Sequence, residues 1–445
     1  FILRNKFAKR KSIKLSLTKE NCRATMSHDE KDGRRCMKRI QRKQILALLT
    51  TVALTIAFAS CGTSSTPTEE SAETTSTADQ ELSLLDTYVS NTVISTGSNT
   101  VIKNAEHVTY RAWFPVEAAG EYDYRFYFSN TVDSTWGDGS ESYVGMSGGS
   151  YTIEKATVYD GGTEFDANVE PTVSAAVTFS GSATKEVAPD ETFWSDPVTL
   201  NVPEGHYLLW EWTVNGTNIP AIAMSNLTYA YADNGDGKGF LYTNEIPVPQ
   251  LVGCDRKVKT RIVTLGDSVT QGCQTSEFGY QFWAAQLQLG TEDYSLWNLG
   301  IGYARASDCA RQGNWLNRAV AGADLITVAF GTNDIISGPY GGTGHATPEE
   351  IEADVRKITR TCTDAGIRTI LWNSPPFDMT PELDGIRTAY NETVEGIAKD
   401  NGATYFDVAS LLADPSDASK TVYGQHPNDE GGTVITDALV KLIQE

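Results

Sequence analysis

The chain is poor in histidine, in basic residues beyond its first sixty positions, and in long apolar runs. Each scarcity removes a class of function. Five histidines and seven cysteines are spread over 445 residues. They form no Cys-x-x-Cys pair and no His/Cys cluster, so the spacing calls for no metal and no other cofactor. Lys and Arg number 36 against 57 Asp and Glu. Residues 1–60 hold 15 of the basic and 4 of the acidic residues, which leaves 21 against 53 from Cys61 onward. A surface of that sign repels phosphate backbones and anionic lipid headgroups, and argues against nucleic acid as a partner. The apolar run Ile45–Ala59 is 15 residues long, short of the roughly 20 that a membrane-spanning helix needs.

That run has the form of an export signal. The basic stretch "MKRIQRK" (Met37–Lys43) precedes it, and it ends in Phe58-Ala59-Ser60-Cys61, which resembles a bacterial lipobox with Cys61 as the lipidated cysteine. Residues 62–81 are rich in Ser, Thr and Glu, hold no apolar side chain larger than alanine apart from Pro67, and read as a disordered tether. Met37 is expected to be the true start, which makes 1–36 a non-native upstream segment. The expected organisation is therefore a signal over 37–60, a tether over 61–81, and two folded domains over 82–250 and 251–445. The protein is expected to be exported and anchored by lipid to the outer face of a bacterial cell membrane. Four cysteines remain in the folded part, Cys254, Cys273, Cys309 and Cys362. Their even number permits disulfides without establishing any, and Cys273 reads as a small buried hydrophobe.

The two folded parts differ in period. From Leu82 to Gln250 apolar residues alternate. "EYDYRFYFSN" places Tyr122, Tyr124, Phe126 and Phe128 on one face, and "HYLLWEWTVNG" does the same with Leu208, Trp210, Trp212 and Val214. Short alternating strands separated by Gly, Asn and Pro predict a β-sandwich. From Lys259 onward apolar strands alternate with amphipathic helices: "RIVTLGD", "YSLWNLG", "DLITVAFGTND", "RTILWNSPPF" and "ATYFDV" are the strands. Five such units predict an α/β fold, a parallel sheet with helices on both faces. Thr347, Pro348 and Glu350 have the form of a helix start with a capping box, and Gly366 and Gly402 fit helix C-termini.

In such sheets functional groups gather at the carboxyl ends of the strands. The first strand ends in Gly266-Asp267-Ser268, the third in Gly331-Thr332-Asn333-Asp334, and "YGQHPNDEGG" places His426 just before the last helix. A hydroxyl, an amide and an imidazole on one edge suit acyl transfer. Serine needs a base to take its proton, histidine has the right pKa for that task, and a tetrahedral oxyanion needs preorganised donors. Asp334 and Asp407 end strands and are expected to make local hydrogen bonds.

"GDSVTQG", "NLGIG", "GTND" and "HPN", in this order, resemble the blocks of the SGNH (GDSL) hydrolase family over about Lys259–Glu445. The resemblance implies a flavodoxin-like three-layer fold, Ser268 as nucleophile, His426 as base and Asn333 as an oxyanion donor. The β-rich half resembles the jelly-roll-like module that precedes this domain in some members. Two positions depart from the pattern. The second block's usual glycine, five residues after Asn298, is Tyr303, so either the Tyr303 or the Gly302 N–H is the backbone donor. The usual triad acid, three residues before the histidine, is Tyr423, which implies a Ser-His dyad. His345 sits in a Gly-rich loop and reads as solvated, and His107 and His206 read as structural. "GMSGG" (Gly145–Gly149) spells a nucleophile elbow but lacks the strand before and the helix after that the elbow requires. "DNGDGKG" (Asp233–Gly239) reads as a tight turn, not a calcium loop.

The resemblance implies an ester hydrolase. The expected substrate is an acylated small molecule or an O-acetylated polysaccharide. A lipolytic or lysophospholipid esterase is the alternative, and a non-catalytic glycan-binding lipoprotein is the alternative of another class.

Overall fold

A computed structural model describes residues 82–134, 144–168, 171–223, 225–311, 313–336, 345–413, 421–422 and 426–445. The export signal, the tether, Cys61 and Tyr423 lie outside these residues.

Alternation becomes two antiparallel sheets. The larger is built on the long strands Thr100–Pro115 and Tyr207–Ala223, which pair along most of their length, with Tyr151–Asp160 on the other side of the second. The smaller is built on Gly120–Ser129. Their inner faces meet through the residues the period selects: Tyr124, Phe126 and Phe128 face Leu208, Trp210, Trp212 and Val214 in one apolar core. Phe126 and Trp210 have ring centroids 4.5 Å apart. Burying these large rings away from water is the main stabilising term of the sandwich. The smaller sheet includes Leu251–Cys254, which pairs with Gly120–Ser129, so the sandwich runs four residues past the boundary expected at 250. "DNGDGKG" is a tight turn, with Asp233 and Asp236 accepting the N–H groups of Gly235 and Lys238.

In the second domain five strands, β1 (Thr260–Gly266), β2 (Tyr294–Asn298), β3 (Leu325–Ala329), β4 (Arg368–Trp372) and β5 (Thr404–Phe406), form a wholly parallel sheet in the order β2-β1-β3-β4-β5. This is the flavodoxin-like order, whose switch point lies between β1 and β3. Helices cover both faces. Three of the longer ones start where the sequence supplies a cap. Thr347 makes the full capping box with Glu350, Thr380 caps Pro381–Asp400, and Asn428 caps Asp429–Gln444 by accepting the Gly431 N–H. Gly366 and Gly402 adopt the left-handed conformation of helix ends.

The sandwich and the second domain pack as one compact unit, and the seam is polar as well as apolar. Glu117, ion-paired with Arg256, accepts the N–H of Leu296 in β2. Trp297 donates to Gln250 O at 2.7 Å. Asp133 and Arg318 form an ion pair with both side chains fully buried. The buried segment 91–100 reaches furthest: Thr96 N–H donates to Asn298 O (3.1 Å) and Ser95 Oγ to Gly300 O. Gly97 fits closely here: a Cβ at this position would come within 2.5 Å of the Ile301 side chain, which would have to shift.

Candidate active site

β1 ends at the switch point, and Asp267 turns the chain into the short helix Ser268–Gln271 by accepting the Val269 N–H at 3.0 Å. Ser268 is therefore the first residue of a helix, where backbone N–H groups have no intrahelical acceptor. Burial pushes the Asp267 carboxyl up to about 7. On the far side of the sheet edge, Asn428 starts the last helix, and His426 stands two residues before that cap. Its Nε2 lies 2.7 Å from Ser268 Oγ. Asp429 ties the two elements together by accepting the Ser276 N–H at 2.7 Å. The ring of Phe377 meets the imidazole edge to face at 5.4 Å.

His426 Nδ1 is buried and has no hydrogen-bond partner among the described residues. Burial lowers the pKa of this imidazole from 6.5 to about 4, so at neutral pH the ring is uncharged and can accept a proton.

The second and third blocks form one braced unit. Asn333 is only 7% exposed, and its Nδ2 donates to Ala304 O at 3.1 Å. Its neighbour Asp334 accepts the N–H of Ala306 at 2.9 Å and also binds that of Ser307, holding the start of the helix Ala306–Arg311. Burial raises the Asp334 carboxyl to about 7. Asn298 holds the turn at the end of β2, accepting the Gly300 N–H (2.9 Å) and donating to Thr270 O (3.1 Å). Gly300 lets this turn press onto the Ser268 helix: a Cβ there would stand 2.7 Å from Gln271 N.

Gly302 and Tyr303, the two backbone donors the sequence offers, sit in different surroundings. Gly302 donates to Gln271 Oε1 at 2.9 Å, so its N–H is committed to bracing the turn. Tyr303 has φ of 66°, the left-handed conformation that a glycine would adopt freely. The turn keeps the glycine-like path although its residue is tyrosine. Asn333, for its part, braces the turn from a buried site.

Among the other sequence candidates, His345 is exposed, and His107 and His206 pair with Glu154 and Asp160 in the sandwich. Asp407 caps the helix Val408–Leu411 and accepts from Asn373 at 2.7 Å. Ser147 lies on an isolated bridge with Thr131 and donates to Asp190. All four cysteines are buried free thiols.

Replacing Asn333 by alanine should lower kcat by about 10²–10³-fold if its second amide hydrogen meets the oxyanion. The loss of a donor to Ala304 O should also cost about 1–3 kcal/mol of stability. Steady-state kinetics with a urea melt separate the two effects, and a stability loss with normal kcat would make Asn333 a brace alone.

Residues 264–434 match the family described as GDSL-like Lipase/Acylhydrolase. Among solved structures, the chain is similar to a member of the lipolytic protein G-D-S-L family from Veillonella parvula, at 19% identity over 42% of this chain and 98% of that one, with a TM-score of 0.36. It is similar to a catalytic mutant of an acetylxylan esterase from Geobacillus stearothermophilus, at 18% identity over 43% and 96%, with a TM-score of 0.37. It is also similar to a psychrotrophic esterase from a Pseudoalteromonas species, at 17% identity over 42% and 99%, with a TM-score of 0.34. No curated protein sequence matches the chain.

Proposed function

We propose that this chain, an ester hydrolase by its GDSL-like acylhydrolase domain at 264–434, cleaves ester-linked acyl groups through a Ser268–His426 dyad and acts on O-acetylated carbohydrate. The observation that carries the mechanism is the 2.7 Å contact between His426 Nε2 and Ser268 Oγ at a strand tip. Ser268 Oγ attacks the acyl carbonyl as His426 Nε2 takes its proton. The oxyanion that forms is held by the Ser268 and Tyr303 backbone N–H groups and by the Asn333 amide. Collapse of the tetrahedral species expels the alcohol, which leaves with the proton from the imidazolium. A water molecule, activated by the same imidazole, then attacks the acyl-enzyme and releases the acid and free Ser268.

The acidic surface supports a neutral carbohydrate ester over a lysophospholipid, whose phosphate it would repel. The glycine-like path at Tyr303 supports a working turn over a degenerate, purely binding domain.

The test is turnover of a short-chain aryl acetate as a function of pH. The base must be neutral, and the free-enzyme pKa of His426 sets the acid limb of kcat/KM. Because burial lowers that pKa to about 4, the rate should hold as pH falls through 6.5 and drop only well below it. An acid limb at or above 6.5 would show that a carboxylate orients Nδ1, and no turnover at any pH would overturn the esterase reading.

The reading extends to export and lipidation at Cys61. Cys61→Ala should leave the protein unprocessed or move it from the membrane fraction to the medium. Normal processing with unchanged membrane retention would overturn that part.

A further inference from the structure

A cleft of about 590 Å³ opens where the sandwich meets the loop that follows the Ser268 helix. Its volume is within the range of ligand sites, about 300–1,000 Å³. Four aromatic rings line it. Phe278 of the loop stacks on Tyr229 of the sandwich, with centroids 4.0 Å apart and planes 18° from parallel. Tyr231 stands edge-on to Tyr242 at 6.1 Å, and Tyr242 is 48% exposed at the mouth. The polar lining is Asn226, Asn244, Glu245 and Glu277, with no Lys, Arg or His.

The loop has an unusual backbone. Gln274, Phe278 and Tyr280 all have positive φ, 64°, 55° and 52°. Such strain in non-glycine residues persists only where surrounding contacts impose it, and it concentrates at functional sites. The same loop is joined to both catalytic elements: it leaves the helix of Ser268 directly, and its Ser276 is bound by Asp429, three residues after His426. On the sandwich side, Leu227 and Thr228, between the cleft residues Asn226 and Tyr229, also line a small gap against Gln271, the last residue of the Ser268 helix.

We propose that this cleft is a subsite for a neutral, hydroxyl-rich saccharide chain, which makes the carbohydrate part of the substrate recognisable at a distance from the scissile ester. The proposal rests on the carbohydrate-ester reading above and specifies it. The half-exposed ring of Tyr242 can bury the C–H face of a sugar ring, carboxylates accept and amides donate and accept hydrogen bonds with hydroxyl groups, and two carboxylates with no basic side chain in the lining repel uronates and phosphates. A purely apolar acyl chain would make no use of this polar lining.

The experiment is calorimetric titration of the Ser268→Ala protein with a panel of unacylated neutral oligosaccharides and with an oligouronate of matched length. A neutral member should bind and the oligouronate should not. Tyr242→Ala in the same background should weaken binding at least about 10-fold with an unchanged melting temperature, since that ring is half exposed. In the active protein Tyr242→Ala should raise KM for an acetylated oligosaccharide by a similar factor with little change in kcat. Failure of every neutral saccharide to bind, equal binding of the oligouronate, or binding that survives Tyr242→Ala would overturn the subsite. Aryl acetate turnover by the unaltered protein reports separately on the esterase reading, so a silent cleft in an active enzyme removes only the subsite.

Discussion

Ser268→Ala is expected to lower kcat on any ester by about 10⁴–10⁶-fold while the protein stays folded. The activity loss follows from chemistry, because the only hydroxyl held against the His426 imidazole among the described residues is the one removed. The fold is expected to persist because the helix that begins at Ser268 is capped by the Asp267 side chain, which the substitution leaves in place. The stability cost should be limited to one hydrogen bond, about 1 kcal/mol. No neighbouring nucleophile can substitute. Cys273 is buried, and burial pushes its thiol up to about 12, so it holds no thiolate near neutral pH. Ser147, despite its elbow-like sequence, is committed to Asp190 at 2.6 Å in the sandwich, and Ser147→Ala should retain the full rate. Substantial turnover by clean Ser268→Ala protein, matched by a loss in Ser147→Ala, would overturn the site. The measurement is single-batch kinetics on both variants with circular dichroism as the fold control.

How much of this site could be read from the sequence depended on whether the relevant interactions are local. The strand tips that carry Ser268 and Asn333, and the turn before the last helix that carries His426, are each written within a few consecutive residues, and period alone put them on one edge of a parallel sheet. The capping box at Thr347 was legible for the same reason. The bracing was not. Whether Gly302 or Tyr303 is the donor depends on a glutamine side chain 31 positions away, and no local pattern announces that pairing. The run Leu251–Cys254 reads as the start of the second domain because four small or apolar residues can enter either sheet. Tertiary pairing with Gly120–Ser129 decides it. The cysteine count left pairing open, whereas the structure holds each of the four as a buried free thiol.

The seam between the domains carries the other large effect. Asp133→Ala is expected to destabilise the chain by about 3–5 kcal/mol, the cost of leaving a buried charge unpaired. Asp133 lies in the sandwich and Arg318 on the helix Gly313–Ala321 of the hydrolase domain, both fully buried, joined by two hydrogen bonds of 2.8 and 2.5 Å. Arg318 Nε already lacks a partner among the described residues, so removing Asp133 strands the whole guanidinium. Asp133 also accepts the Ser98 N–H at 3.0 Å, which anchors the segment whose Ser95 and Thr96 hold the Asn298–Gly300 turn beside the Ser268 helix. The loss should therefore reach activity as well as stability. Urea denaturation should show one cooperative transition at a lower midpoint, because the two domains share an apolar core. Replacing both partners, Asp133→Leu with Arg318→Met, should recover most of the stability, since an apolar pair of similar size leaves no stranded charge. Two separate transitions, with the hydrolase domain melting as before, would show instead that the sandwich is a detachable module.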